Sequence, residues 1–201
     1  MKRFLTLLFT TLLLAAALCV TASASDYDAA AKDLSAIGMF RGTDSGFELD
    51  RAPTRSEAAI MLVRLYGAED AAKAAYEAGE IKHPFTDVSD SAWYADAVYY
   101  VANRGLMSGT EPGVFSPDET FTRAMTAQVL YAMEGKPNIG TINFGDVTYE
   151  DWYCDAVSWA SAKWVMTGYG EGRFIPNNPV TREQLSLALL NFANLHNYDT
   201  R

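Results

Sequence analysis

Three threonine–arginine pairs, Thr54-Arg55, Thr122-Arg123 and Thr181-Arg182, stand where amphipathic segments begin. Threonine is a good helix N-cap, and Glu57 and Gln184, three residues on, can complete a capping box that Met125 cannot. An arginine at the first helical position is the anomaly, because the positive end of the helix macrodipole favours anions. Two chemistries account for it. Each guanidinium is either a structural donor to a nearby carboxylate or to loop carbonyls, or part of an anion site shared with free helix N–H groups. The two are compatible if one edge is held by the protein and the other meets a ligand.

The other reactive side chains carry less. Cys154 falls in an amphipathic segment, the setting of a packed thiol rather than of a nucleophile with a lowered pKa. His83 and His196 are remote from each other and neither lies in a metal-ligand spacing. Glu150 and Asp151 adjoin at a helix start, where acidic residues are expected in any case. With no nucleophile elbow and no phosphate loop, the expectation is a non-enzymatic chain without metal or cofactor.

The elements that position the arginines come as a repeat. Phe85-Thr86-Asp87-Val88, Trp93-Tyr94, Leu106-Met107-Ser108-Gly109, Phe115-Ser116-Pro117 and Thr122-Arg123 have counterparts in Phe144-Gly145-Asp146-Val147, Trp152-Tyr153, Val165-Met166-Thr167-Gly168, Phe174-Ile175-Pro176 and Thr181-Arg182. Every pair is 59 residues apart (85 to 144, 93 to 152, 123 to 182), an offset that chance does not hold through so many matches. A third copy lies upstream, in Met39-Phe40-Arg41-Gly42, Phe47-Glu48-Leu49-Asp50 and Thr54-Arg55-Ser56-Glu57. Trp93, Ala97, Val98 and Val101 recur at helical steps, Gly105 supplies the left-handed residue that ends that helix, and a turn-rich loop precedes the second helix. In the last copy Trp164 takes the place of Gly105, at a cost of about 1 kcal/mol for a left-handed residue with a side chain. The resulting division is a first copy at 25–67, an inserted helical linker rich in alanine at 68–83, and further copies at 84–136 and 143–196.

Residues 1–24 read as a secretory signal peptide. Lys2 and Arg3 precede an apolar run from Phe4 to Val20, which ends in the small-x-small pattern Ala22-Ser23-Ala24. Its removal takes away two positive charges and moves the formal charge from −9 to −11, which leaves no membrane span and argues against nucleic acid. Cys154 then remains alone, so no intramolecular disulfide can form and stability must come from the core.

The ordered set of Phe-x-Asp-Val, a Trp-started helix, a small residue before a turn glycine, a loop with Phe-x-Pro and Thr-Arg-x-Glu resembles the S-layer homology domain. The resemblance spans about residues 28–195. It implies an all-α fold of three helix–loop–helix repeats packed as a pseudo-threefold helical bundle. It further implies non-covalent attachment at the cell surface to a secondary cell-wall polysaccharide linked to peptidoglycan, anionic through a pyruvylated sugar and held in grooves between repeats. The groove residues it points to are Arg55, Arg123 and Arg182; Gly42, Gly109 and Gly168; Ser108 and Thr167; with Trp93 and Trp152 as aromatic candidates, although a tryptophan at a helix start is more often core. Asp87 and Asp146 are expected to hydrogen-bond the loops. The first copy departs from the pattern: it lacks Phe-x-Asp-Val and the tryptophan, and carries Arg41 before its turn glycine, so one or two working grooves are expected rather than three. With six residues after Leu195 no cargo is expected, which favours a free-standing wall-binding protein. The competing expectation is an adaptor that captures another envelope protein through the inserted helix at 68–78 or an aromatic surface around Tyr99 and Tyr100.

Overall fold

The computed structural model describes residues 24–36, 38, 41, 46–140, 142 and 144–196; the expected signal peptide of residues 1–24, Ala24 excepted, and Gly42 lie outside them. Seven helices occur among these residues: α1 (Ala24–Ala36), α2 (Arg55–Leu65), α3 (Glu69–Glu77), α4 (Ala95–Asn103), α5 (Arg123–Met133), α6 (Cys154–Ala162) and α7 (Arg182–Leu195). The threonines set three of the starts. Thr54 Oγ1 accepts from the Glu57 N–H while the Glu57 carboxylate accepts from the Thr54 N–H, and Thr181 with Gln184 repeats this box. Thr122 accepts from the Met125 N–H without the reciprocal bond.

Packing follows a cycle that no local pattern announces. The first helix of each pair lies against the second helix of the preceding pair: α4 on α2, α6 on α5, and α1 on α7. The second helices meet at the centre, where Ala58, Met61 and Leu62 of α2 face Val129 and Leu130 of α5 and Leu185 and Leu189 of α7. The architecture is therefore all-α with a pseudo-threefold order. Backbone bonds seal the seams. At the N-terminus of α2, Arg55 N–H and Ser56 N–H donate to Glu119 O and Pro117 O of the second pair. At α5, Arg123 and Ala124 donate to Asn178 O and Pro176 O of the third; at α7, Arg182 and Glu183 donate back to Arg51 O and Leu49 O of the first. The first two backbone donors of α2, α5 and α7 are thus satisfied by the neighbouring loop.

Two expectations need correction. Trp93 and Trp152 do not belong to the buried stripes, because α4 and α6 begin after them; they are 70% and 62% exposed. Tyr99 and Tyr100 form no surface, being 1% and 8% exposed. For Tyr99 part of the cover is α3, which packs on α4 and stacks Tyr76 on that ring at 6.0 Å, with His83 and Phe85 completing it. His83 stacks on Tyr99 (centroids 4.3 Å apart) and on Tyr76 (5.0 Å), and Tyr76 O–H donates to Asp90 O.

Tyr99 O–H donates to Val88 O at 2.9 Å, and burial pushes its phenol from 10.0 up to about 12. A pKa raised on folding contributes stability that is full below the unfolded value and is lost as pH rises through the folded one. The thermal midpoint should therefore fall between pH 10 and about 12. Tyr99→Phe should flatten that alkaline limb; an unchanged limb would assign it to other groups.

The end of α6 bears out the reading of Trp164. It sits at φ 58°, the place where Gly105 has φ 69°, with 76% of its surface exposed. Trp164→Gly should raise stability by about 0.5–1 kcal/mol, the left-handed penalty less the added freedom of the unfolded chain. A fall in the urea midpoint would show that the indole packs to more effect than its exposure implies.

Candidate functional site

The three arginines leave their helices and enter the loop of the next pair. Arg55 Nε donates to Phe115 O (2.8 Å) and its Nη2 to Ser108 O (2.6 Å). Arg123 does the same with Phe174 O (2.9 Å) and Thr167 O (2.7 Å). Arg182 completes the cycle with Phe47 O (2.8 Å) and Arg41 O (3.0 Å). All three are buried, with 4–5% exposure. The planar fork reaches the two carbonyls from two separate nitrogens, Nε and Nη2, held in fixed geometry, whereas lysine would have to serve both from a single nitrogen. Burial pushes each guanidinium downward from its ordinary value, though an arginine stays charged.

This resolves the anomaly at the first helical position. The guanidinium bonds loop carbonyls, and the helix N–H groups that an anion site would need are already donating, to the neighbouring loop and to the capping threonines. Each guanidinium also has a side beyond these carbonyls. That side differs from seam to seam. Arg55 lies 4.6 Å over the Phe115 ring, and its Nη1 meets Met125 Sδ at 3.6 Å. Arg123 is held between the rings of Phe174 (4.4 Å) and Tyr169 (4.7 Å). Arg182 shares its seam with Arg51, which pairs with Glu57 at 2.8 Å. Among the described residues, neither Arg55 nor Arg123 is ion-paired to a carboxylate.

The other sequence candidates divide. Ser108 and Thr167 present exposed side chains beside the arginines that their carbonyls hold. Gly109 and Gly168 are glycine for lack of space: a Cβ on Gly109 would press on Val114 O and Glu111 O, and one on Gly168 on the Phe144 ring and Arg173 O. Trp93 and Trp152 make edge contacts with Tyr94 (5.4 Å) and Tyr153 (5.1 Å), not with the guanidinium planes. Asp87 accepts from Phe115 N–H and Ser116 N–H, and Asp146 from Phe174 N–H and Ile175 N–H. These bonds hold Ser116 and Ile175 in the left-handed region (φ 58° and 56°), an unfavoured place for a β-branched isoleucine.

Tyr169 is the functional candidate that sequence reasoning missed. Its ring covers Arg123 and its oxygen accepts from Gln184 Nε2 at 2.5 Å. The only signal was an aromatic next to the turn glycine in one copy, where the other has Thr110.

Residues 84–125 and 143–186, the segments that form the seam around Arg123, match the family model of the S-layer homology domain. Among curated proteins, the chain is 29% identical over 161 residues to "Cell surface glycoprotein 1" of Acetivibrio thermocellus, which covers 75% of this chain and 7% of that protein. It is 33% identical over 152 residues to the "Cellulosome-anchoring protein" of the same organism, covering 72% of this chain and 32% of that protein. A "Surface-layer 125 kDa protein" of Lysinibacillus sphaericus is 28% identical over 100 residues, 50% of this chain and 8% of its own length. The chain thus spans no more than 32% of these relatives. No helix among its described residues is long and apolar enough to cross a membrane.

Proposed function

We propose that this chain, which carries two S-layer homology domains, attaches non-covalently to the cell wall by binding an anionic secondary polysaccharide in the seams between its helix pairs. Residues 25–67 act as a third, divergent copy, and residues 1–24 direct secretion. The observation that carries the reading is Arg123. It is a buried cation at the junction of the two matched domains, flanked by aromatic rings and unpaired to any carboxylate among the described residues. A net charge of −11 without residues 1–24 does not oppose binding of an acidic polymer, because exposed charges are screened beyond about 8–10 Å at physiological salt while guanidinium contacts act at hydrogen-bond range. The names of the relatives, a surface glycoprotein, an anchoring protein and a surface-layer protein, support attachment at the wall.

The test is co-sedimentation of the chain lacking residues 1–24 with purified sacculi, before and after chemical removal of the secondary polymer. Pelleting that disappears with the polymer is expected. A folded protein that stays in the supernatant, or one that pellets equally well on stripped sacculi, would overturn the reading.

A further inference from the structure

The seams around Arg55 and Arg123 are built on the same clasp and differ at several positions that face it, two of them in the loop. In the seam around Arg55, the loop residue after the turn glycine is Thr110, whose hydroxyl is bonded to Ser116 at 2.7 Å. In the seam around Arg123 the equivalent residue is Tyr169. One face of its ring lies on the guanidinium, its oxygen is fixed by Gln184, and 43% of its surface remains exposed. The second difference is at the residue that receives the first helical N–H. Glu119 does so for Arg55 and Asn178 for Arg123. Glu119 thereby places a carboxylate in the field of Arg55, with Asp87 behind it. Around Arg123 the nearby carboxylate is Asp146 alone, and both its oxygens are occupied by backbone N–H groups.

We infer that the seam around Arg123 is the principal binding seat, in which Tyr169 offers its outer face to the ring of an acidic sugar and Asn178 leaves the guanidinium charge available to that sugar's acid group. The inference rests on the polysaccharide reading above and adds the residues that rank the seams. The aromatic face supplies broad apolar contact for the C–H face of a pyranose, and the ring keeps the guanidinium in place while a ligand approaches. The cation has Asp146 alone in its field where Arg55 has both Glu119 and Asp87, so an incoming anion meets less competition and recovers part of the charge stabilisation that burial removed. Around Arg55 neither condition holds: Thr110 has no face to offer, and Glu119 already competes with the anion.

The test uses sacculi that retain their secondary polymer, with the chain lacking residues 1–24. Tyr169→Thr and, separately, Asn178→Glu should each lower the apparent affinity by about tenfold, with the circular dichroism spectrum unchanged. The pair of reciprocal changes Thr110→Tyr and Glu119→Asn, added to Tyr169→Thr, should recover much of the loss. Asn178→Glu leaves the ring untouched, so the proposal remains testable even if Tyr169→Thr fails to fold. Undiminished binding by Asn178→Glu or by a folded Tyr169→Thr would overturn the inference, as would loss without recovery in the reciprocal variant. Wild-type protein that fails to pellet would remove the polysaccharide reading itself, and this one with it.

Discussion

Replacing Arg123 by alanine should cost the fold about 3–5 kcal/mol, a large share of what a small protein has. The substitution strands Phe174 O and Thr167 O, both of which accept from the guanidinium across the seam. A buried acceptor left without its partner costs about 1–3 kcal/mol. The loss of the cation between two rings and of the packed side chain adds to this. Urea unfolding monitored by circular dichroism measures it directly, and a loss under about 1 kcal/mol would mean the clasp carries little of the stability. Arg123→Lys should recover less than half, since a single ammonium cannot span two carbonyls in the same geometry. A wall-binding assay on alanine variants of these arginines is therefore a folding assay unless the variants are shown to be intact.

Gly168→Ala should be nearly as damaging, at about 2–4 kcal/mol. The added Cβ would overlap the Phe144 ring and stand 2.6 Å from Arg173 O, and the second of these is backbone that a side-chain rotation cannot clear. Gly105→Ala is the contrast. Nothing lies within 4 Å of its Cβ position, so only the left-handed φ of 69° is penalised, by about 1 kcal/mol. Thermal melts of the two variants should separate clearly; equal effects would show that the close approach at Gly168 relaxes freely.

What could be read from the residues was whatever recurs or acts within a turn. The 59-residue offset, the capping boxes at Thr54 and Thr181 with the missing one at Thr122, and the left-handed residue that became Trp164 all concern neighbours within a few positions or copies of one plan. The partners of the arginines were out of reach. Arg55 bonds residues 53 and 60 positions away, and Arg182 bonds residues 135 and 141 positions away, so helical periodicity holds no trace of them. Burial of Tyr99 was hidden for a related reason: it draws in part on Tyr76 of α3, a segment the repeat does not contain. The helical spacing of Trp93 with Ala97 misled, because the tryptophan stands in the turn before the helix. Tyr169 was passed over because comparing copies discards what only one of them has.

Tandem repeats usually stack in a line, where each unit leans only on its neighbours and stability grows unit by unit. Here the last pair hands its arginine to the first, and α1 lies on α7. A line closed on itself has no terminal unit to fray. Opening one seam leaves the other two still holding the circle, so the chain should melt in a single cooperative step rather than shed repeats from an end. The same closure sets the smallest fragment that can stand alone. Residues 84–186, although they contain both segments that match the family model, would present α4 without α2 and the start of α7 without α1. The unit that repeats in the sequence and the unit that folds are different lengths of the same chain.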